Sequence, residues 1–226
     1  MKILALESAT SACSVAVWAD GRVLAGEAAE MSRGHAEALL PMIDRVRAAA
    51  GVDFADIDRF AVTIGPGHFT GLRIGLSAAR GLALATGRPL IGVTTLEAVA
   101  AAVPESDRAG NTIVAALDSK RAELYVQTFD QLLEATNPPA ALTPSAAANR
   151  LAQNRAYVLA GDAAAALAPE LRRRGLAMRI LDDIRHPQAT TVAALAARAP
   201  VPAGFPAPLY LHPVETTSAK TAPSPP

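Results

Sequence analysis

The sequence predicts an α/β protein of two lobes, each a mixed sheet flanked by helices. Three observations carry that prediction. Short β-branched runs alternate with stretches whose apolar residues have helical spacing. The order of elements before residue 103 returns, in shorter pieces, after residue 110. Of the 226 residues, 51% are hydrophobic and 19% charged, which excludes a disordered chain and supplies a core for each half.

Lys2–Leu6 reads as the first strand and runs into the polar turn Glu7-Ser8-Ala9-Thr10-Ser11. Ser14–Trp18 is a second strand, Asp20-Gly21 a hairpin turn, and Val23–Ala29 a third strand. Arg33-Gly34-His35 opens a helix with Leu39, Leu40, Ile43 and Val46 in helical register, and Gly51 ends it. Phe60–Ile64 has the β-branched, apolar character of a buried strand, which Gly65-Pro66-Gly67 terminates. From Thr70 the period becomes helical: Leu72, Leu76, Ala79 and Ala83 form one stripe, Ile74, Ala78 and Leu82 another. A helix apolar on two sides is expected to touch its own sheet and something else. Gly71, Gly75 and Gly81 each cost it about 1 kcal/mol relative to alanine, so close backbone approach is expected there.

Pro89–Val93 follows as a strand and Thr95–Ala102 as a helix. In the second half, Thr112–Leu117 and Leu124–Phe129 are strands around Asp118-Ser119-Lys120-Arg121. Pro144–Ala152 is a helix, Tyr157–Leu159 a strand, and Ala163–Arg174 and Val192–Arg198 are helices. The repeated order points to paired ribonuclease-H-like lobes, residues 1–103 and 111–200, with a cleft between them. Eight of the seventeen prolines fall in residues 200–226, so 201–226 is expected to be an extended tail, disordered after Thr216.

Acidic and basic side chains balance at 21 each. A protein that grips RNA unaided carries a basic excess, so a nucleic-acid role here would be shared with a partner. One cysteine, Cys13, excludes an internal disulfide framework and fits a reducing cytoplasm; it reads as a small buried thiol at the start of the second strand. Residues 1–20 match neither a signal peptide nor a membrane span.

The glycine-rich turn invites comparison with a phosphate cradle at a helix N-terminus. Gly65 and Gly67 are followed by Gly71, one residue beyond dinucleotide spacing, and no G-K-[ST] occurs. A tight turn leading into a contact helix is the favoured reading. Glu7, Ser8, Gly65, Gly67 and Asp118 stay as weak nucleotide-site candidates. Glu7 and Asp118 each follow a first strand, where two carboxylates facing one cleft could do acid–base chemistry. Polar strand ends are the alternative and the preferred reading. His35, His68, His186 and His212 have no metal-ligand spacing. Arg172-Arg173-Arg174 reads as a solvated helix end.

Several segments together carry a family resemblance: Lys2–Val17, Arg33–Met42, Thr63–Gly81, Gly92–Ala98, Asp118–Tyr125 and Pro208–His212. Their most specific run is G-P-G-H-F-T-G-L-R-I-G-L, from Gly65 to Leu76. The chain resembles the TsaB (YeaZ) family of bacterial subunits that support threonylcarbamoyl transfer to the adenosine beside the tRNA anticodon. His68 stands where members often carry serine. The resemblance implies an ASKHA (actin-like) fold and a non-catalytic subunit that dimerises with the catalytic paralogue TsaD. It also implies a complex including the ATPase subunit TsaE, self-pairing in isolation, contact with tRNA only through the complex, and a cytoplasmic location without membrane attachment. No cofactor is expected on this chain alone, with ATP or ADP possible in the assembly. TsaD holds a metal through an H-x-x-x-H pair; here Thr95 and Val99 occupy those positions, so metal catalysis is not expected. The implied contact surface is the first two helices, through His35, Leu39, Met42, His68, Phe69, Thr70, Arg73, Leu76, Ser77 and Arg80. A stand-alone ASKHA phosphotransferase or glycoprotease-like hydrolase is the competing reading.

Overall fold

A computed structural model describes residues 1–212. The first sheet comprises β1 (Lys2–Glu7), β2 (Ala12–Ala19), β3 (Arg22–Glu30), β4 (Arg59–Thr63) and β5 (Leu90–Val93), in the order β3-β2-β1-β4-β5. β1 to β3 pair antiparallel, through a turn in which Asp20 and Gly21 both take positive φ, while β4 and β5 join parallel. The second sheet comprises β6 (Thr112–Asp118), β7 (Leu124–Phe129), β8 (Ala140–Leu142), β9 (Tyr157–Ala160) and β10 (Met178–Ile180), in the order β10-β9-β6-β7-β8. Its pairings repeat those of the first: antiparallel from β6 to β8, parallel from β6 to β10. The two sheets therefore share one topology, that of the predicted ribonuclease-H-like lobe.

Helices α1 (His35–Ala50) and α2 (Phe69–Thr86) cover the outer face of the first sheet. Alternation along β1 decides which residues they meet: Leu4 and Leu6 point to the helices, Ile3 and Ala5 to the other face. The second sheet has α5 (Pro144–Asn149) and α6 (Ala164–Arg173) on its outer face, against Val114, Ala116 and Leu159. A four-residue helix, α4 (Glu105–Arg108), precedes β6.

Between the sheets lie α3 (Thr95–Ala102) and α7 (Ala189–Arg198). Chain order puts α3 with the first lobe, yet Leu96, Val99 and Ala100 pack on Ile113, Ala115 and Leu117 of the second sheet. Conversely α7, expected within 111–200, lays Val192, Ala193 and Ala196 on Ile3, Ala5 and Ala61 of the first. The lobes are thus tied by an exchange of helices. Reading along the stack, the layers are α1/α2, first sheet, α7/α3, second sheet, α5/α6.

Two helix boundaries differ by three residues from the sequence reading. The helix expected to run to Ala152 stops at Asn149, and the last begins three residues early, at Ala189. The strands β8 and β10 have three residues each, too few to carry a periodic signal. Residues 201–212 have no regular structure but are held: Leu209 N–H donates to the Ile64 carbonyl at 2.7 Å and Arg80 donates to the Pro206 carbonyl at 2.6 Å. The stretch after Thr216 lies outside the described residues.

Candidate interaction helices and cleft

The β4–α2 turn determines how α2 sits. Gly67, Gly71 and Gly75 recur every four residues and face the β1–β2 turn. A Cβ on Gly67 would run into the Ala9 carbonyl, one on Gly71 into the Ser8 carbonyl, and one on Gly75 into the Ser8 hydroxyl. Two hydrogen bonds hold the approach: Ser8 Oγ donates to the Gly71 carbonyl at 2.9 Å, and the His68 N–H donates to the Ala9 carbonyl at 2.7 Å. Gly65 has φ +109° and lies against the Leu209 carbonyl, so it too is packed by the chain itself. The close approach that the glycines required is therefore internal. Of the three glycines inside α2, Gly81 has open space around it.

This packing closes the space between α2 and the β1–β2 turn. Glu7 and Ser8 are both buried: Ser8 turns its hydroxyl to α2, whereas Glu7, in register with Ser14, lies on the α7 side of the sheet. One Glu7 oxygen accepts from the Ala9 N–H at 2.7 Å, while Oε2 is buried without a partner among the described residues. Desolvation pushes its carboxyl up to about 8, against the backbone hydrogen bonds that lower it. Cys13 is fully buried beside it, and burial, helped by the Glu7 charge, pushes that thiol up to about 12. A thiol held protonated is no nucleophile.

Asp118 has a different setting. Its backbone N–H donates to Asp162 at 2.8 Å, and its carboxylate pairs with the Lys120 ammonium at 2.7 Å. Burial would raise that carboxyl, but the bonds to Lys120 outweigh it and hold it below the usual range. Across the cleft, burial and the Lys120 charge keep His68 below the ordinary imidazole value. A cavity of about 390 Å³ between the lobes is lined by His68, Phe69, Lys120, Tyr125, Tyr210 and His212, with Gly67 at its wall. Ser119, a hydroxyl at this cavity, donates to the Glu123 carbonyl rather than to a base. Glu7 and Asp118 thus have unlike settings. The first is buried at the end of β1, and the second is paired with its own lysine.

Thr95 and Val99 have structural work. The Thr95 hydroxyl donates to the Pro66 carbonyl, and Val99 lies fully buried against the second sheet. Among the described residues no three histidine, cysteine or acidic side chains converge as a metal site. His186 is buried with Nδ1 3.9 Å from Asp162, and His35 places Nε2 3.0 Å from the Thr10 carbonyl. Sequence spacing did not indicate Asp162 or His186, because two separate β–α turns bring them together.

The expected contact residues divide in two. His35, Leu39, Met42 and Leu76 are buried in the first lobe's own core, Leu76 at 3% exposure. Their stripe is the one that faces the sheet. Arg80 is occupied by the Pro206 carbonyl, and His68 turns into the cleft. Phe69, Thr70, Arg73 and Ser77 are exposed, and with Gly81 and Leu84 they make the outward line of α2. Arg73 stacks over the Phe69 ring at 4.1 Å, and Phe69 meets Tyr210 at 5.5 Å. Leu84, 74% exposed, lines an apolar groove with Val201 and Phe205.

A protein-family model described as TsaD, tRNA N6-adenosine threonylcarbamoyltransferase, matches residues 28–197. A solved structure from Pseudomonas aeruginosa, of an uncharacterized protein with similarity to the peptidase YeaZ, superposes with a TM-score of 0.78 at 30% identity; it covers 93% of this chain and 99% of its own. The chain belongs to this family, among its TsaB/YeaZ members. The TsaB protein of Escherichia coli is 42% identical over 125 residues, 55% of this chain and 53% of that protein. The chain spans about half the length of the curated relatives it matches. At 13% identity and a TM-score of 0.51, the activator of 2-hydroxyisocaproyl-CoA dehydratase from Clostridium difficile shares the fold alone. That fold is the actin-like ATPase fold, with the paired lobes that the TsaB/YeaZ pattern implied. No helix of the described residues is long and apolar enough to cross a membrane.

Proposed function

We propose that this chain is a non-catalytic subunit in the biosynthesis of threonylcarbamoyladenosine on tRNA, and that it acts by docking its α1/α2 layer on the threonylcarbamoyltransferase. The observation that carries this reading is the outward line of α2. Phe69, Arg73, Ser77, Gly81 and Leu84 are exposed on a helix whose other side already fills the core. Small residues in the middle of that line admit a facing helix, and apolar Phe69 and Leu84 flank it. Leu40, 55% exposed, offers a further apolar contact from α1. The same surface serves self-pairing in isolation. The ATPase subunit of the complex and any ATP or ADP join in the assembly, in the cytoplasm.

The test uses Ser77→Glu, because Ser77 is exposed and its replacement leaves the core intact. The variant should keep its circular dichroism, lose capture of the same organism's threonylcarbamoyltransferase, and no longer self-associate. Unchanged affinity for both would move the interface elsewhere. The competing reading, a stand-alone phosphotransferase or hydrolase, has a direct test in the purified chain: nucleotide hydrolysis or peptidase activity above background supports it.

A further inference from the structure

The second lobe collects arginine at one corner. Residues 144–181 contain six arginines, Arg150, Arg155, Arg172, Arg173, Arg174 and Arg179, against two acids, Asp162 and Glu170, in a chain whose overall charge is zero. Folding brings together the chain segments that carry five of them. α5 ends at Asn149 with Arg150 as its cap, and α6 ends in Arg172 and Arg173 with Arg174 as its cap. Arg174 donates to the Leu151 carbonyl at 3.4 Å, so the ends of the two helices meet. Arg155 and Arg174 both act on the Tyr157 hydroxyl, which donates to the Ala152 carbonyl, so Arg155 reaches the same corner.

Neutralisation accounts for few of these charges. Arg173 pairs with Glu170, and Arg174 is half-buried against the loop. Asp162 is turned away, accepting from the Asp118 N–H in the cleft. Arg150, Arg155 and Arg172 are exposed and have no ion pair among the described residues. Helix dipoles do not explain the surplus either. The effect fades within the last turn, α5 has only six residues, and Arg155 lies beyond both helices. All the cations here are guanidiniums, whose planar fork suits phosphate, and the neighbouring Asn149 and Asn154 are exposed amides.

We infer that this corner, made by Arg150, Arg155, Arg172 and their neighbours, binds the phosphate backbone of the tRNA brought to the complex. It lies in the α5/α6 layer, on the opposite side of the stack from α1/α2, so the protein partner and the RNA do not compete for one face. The contact is to backbone and carries no sequence preference. This inference rests on the proposed role in tRNA modification.

The experiment measures tRNA affinity of the full chain in complex with its threonylcarbamoyltransferase, against salt concentration. The variants are Arg150→Ala/Arg155→Ala/Arg172→Ala and the corresponding triple lysine. Each lost phosphate contact should lower the slope of log K against log salt by roughly 0.7–0.9. The alanine variant is therefore expected to flatten the slope by about 2 and weaken binding about tenfold or more near physiological salt. The lysine variant should keep most of the slope. Capture of the partner should be unchanged in both variants. Unaltered slope and affinity in the alanine variant overturn the inference. So does a loss that tracks weaker partner capture, which would make the corner an acidic-protein contact. If the wild-type chain captures no threonylcarbamoyltransferase, the underlying functional reading fails instead. Should the triple variant lose its circular dichroism, the exposed single changes Arg155→Ala and Arg172→Ala carry the same test, each expected to shift the slope by about 0.7.

Discussion

One substitution, made at two positions of α2, should have opposite effects. Gly71 and Gly81 are both inside the helix, where alanine is preferred over glycine by about 1 kcal/mol. At Gly81 a Cβ meets nothing within 4 Å, so Gly81→Ala should realise that preference in full. At Gly71 the new methyl would overlap the Ser8 carbonyl, a backbone atom of a buried turn that no rotamer change can move aside. Ser8 Oγ also donates to the Gly71 carbonyl, so relieving the clash would strain that bond as well. Overpacking of this kind costs about 1–3 kcal/mol, and a backbone obstacle belongs at the upper end. Less the helix preference, Gly71→Ala should destabilise by about 2 kcal/mol. For a chain of this size, 1 kcal/mol moves Tm by about 2–4 °C. Gly81→Ala should therefore raise Tm by about 2–4 °C and Gly71→Ala lower it by about 4–8 °C, measured by calorimetry and by urea midpoint on the isolated chain. A Gly71→Ala protein as stable as wild type would refute the account of why α2 carries glycine every four residues.

Other substitutions probe the buried side of the same layer. Glu7→Gln should remove a pH dependence: a carboxyl raised from 4.5 to about 8 contributes stability when protonated, present below its unfolded value and lost as pH rises toward 8. The stability of the variant relative to wild type should thus grow between about pH 5 and 8 and level off above, and a difference independent of pH would contradict a buried, protonated carboxyl. Leu76→Glu should destabilise the fold itself rather than report on the interface, since an unpaired charge would enter the first lobe's core; a folded, partner-deficient Leu76→Glu protein would return Leu76 to the surface. Arg59→Met should cost about 1–2 kcal/mol in urea titration, because the Arg59 guanidinium donates to the Ala196 and Ala199 carbonyls and holds the end of α7 to the first sheet.

Much of this architecture was legible in the residues. β-branched runs such as Phe60–Thr63 and the 3.6-residue stripes of α1 and α2 mark elements wherever burial is one-sided or complete over several turns. The three-residue strands β8 and β10 could not be read, since pairing with a neighbour, not pattern, makes them strands. Nor could the exchange of α3 and α7. Both are alanine-rich, and nothing in Leu96, Val99 or Val192 says which sheet they will meet. The site was half legible. Glu7 and Asp118 were correctly placed at corresponding strand ends, but their surroundings come from other elements, Ser14 of β2 beside one and Asp162 beside the other.

The glycines of α2 show where sequence reading took a correct premise to the wrong neighbour. Close approach was required, but Gly67 in the turn and Gly71 and Gly75 in the helix lie four residues apart and all meet Ser8 or Ala9. Gly71 and Gly75 lie on the same side of the helix as Leu72, Leu76 and Ala79, which the core claims. The glycines must therefore serve the lobe's own turn, and only Gly81, six residues on from Gly75, can serve an outside partner. The acid at the end of β1 belongs to the other face of the sheet. Glu7 is in register with Ser14, whose hydroxyl accepts from the Ala189 N–H, and burial there raises its carboxyl. The contact with the Ser8 and Ala9 carbonyls fixes the azimuth of α2, so that Phe69, Arg73, Ser77, Gly81 and Leu84 face outward together. A helix free to roll would present no constant surface. One turned by glycines against a buried backbone does.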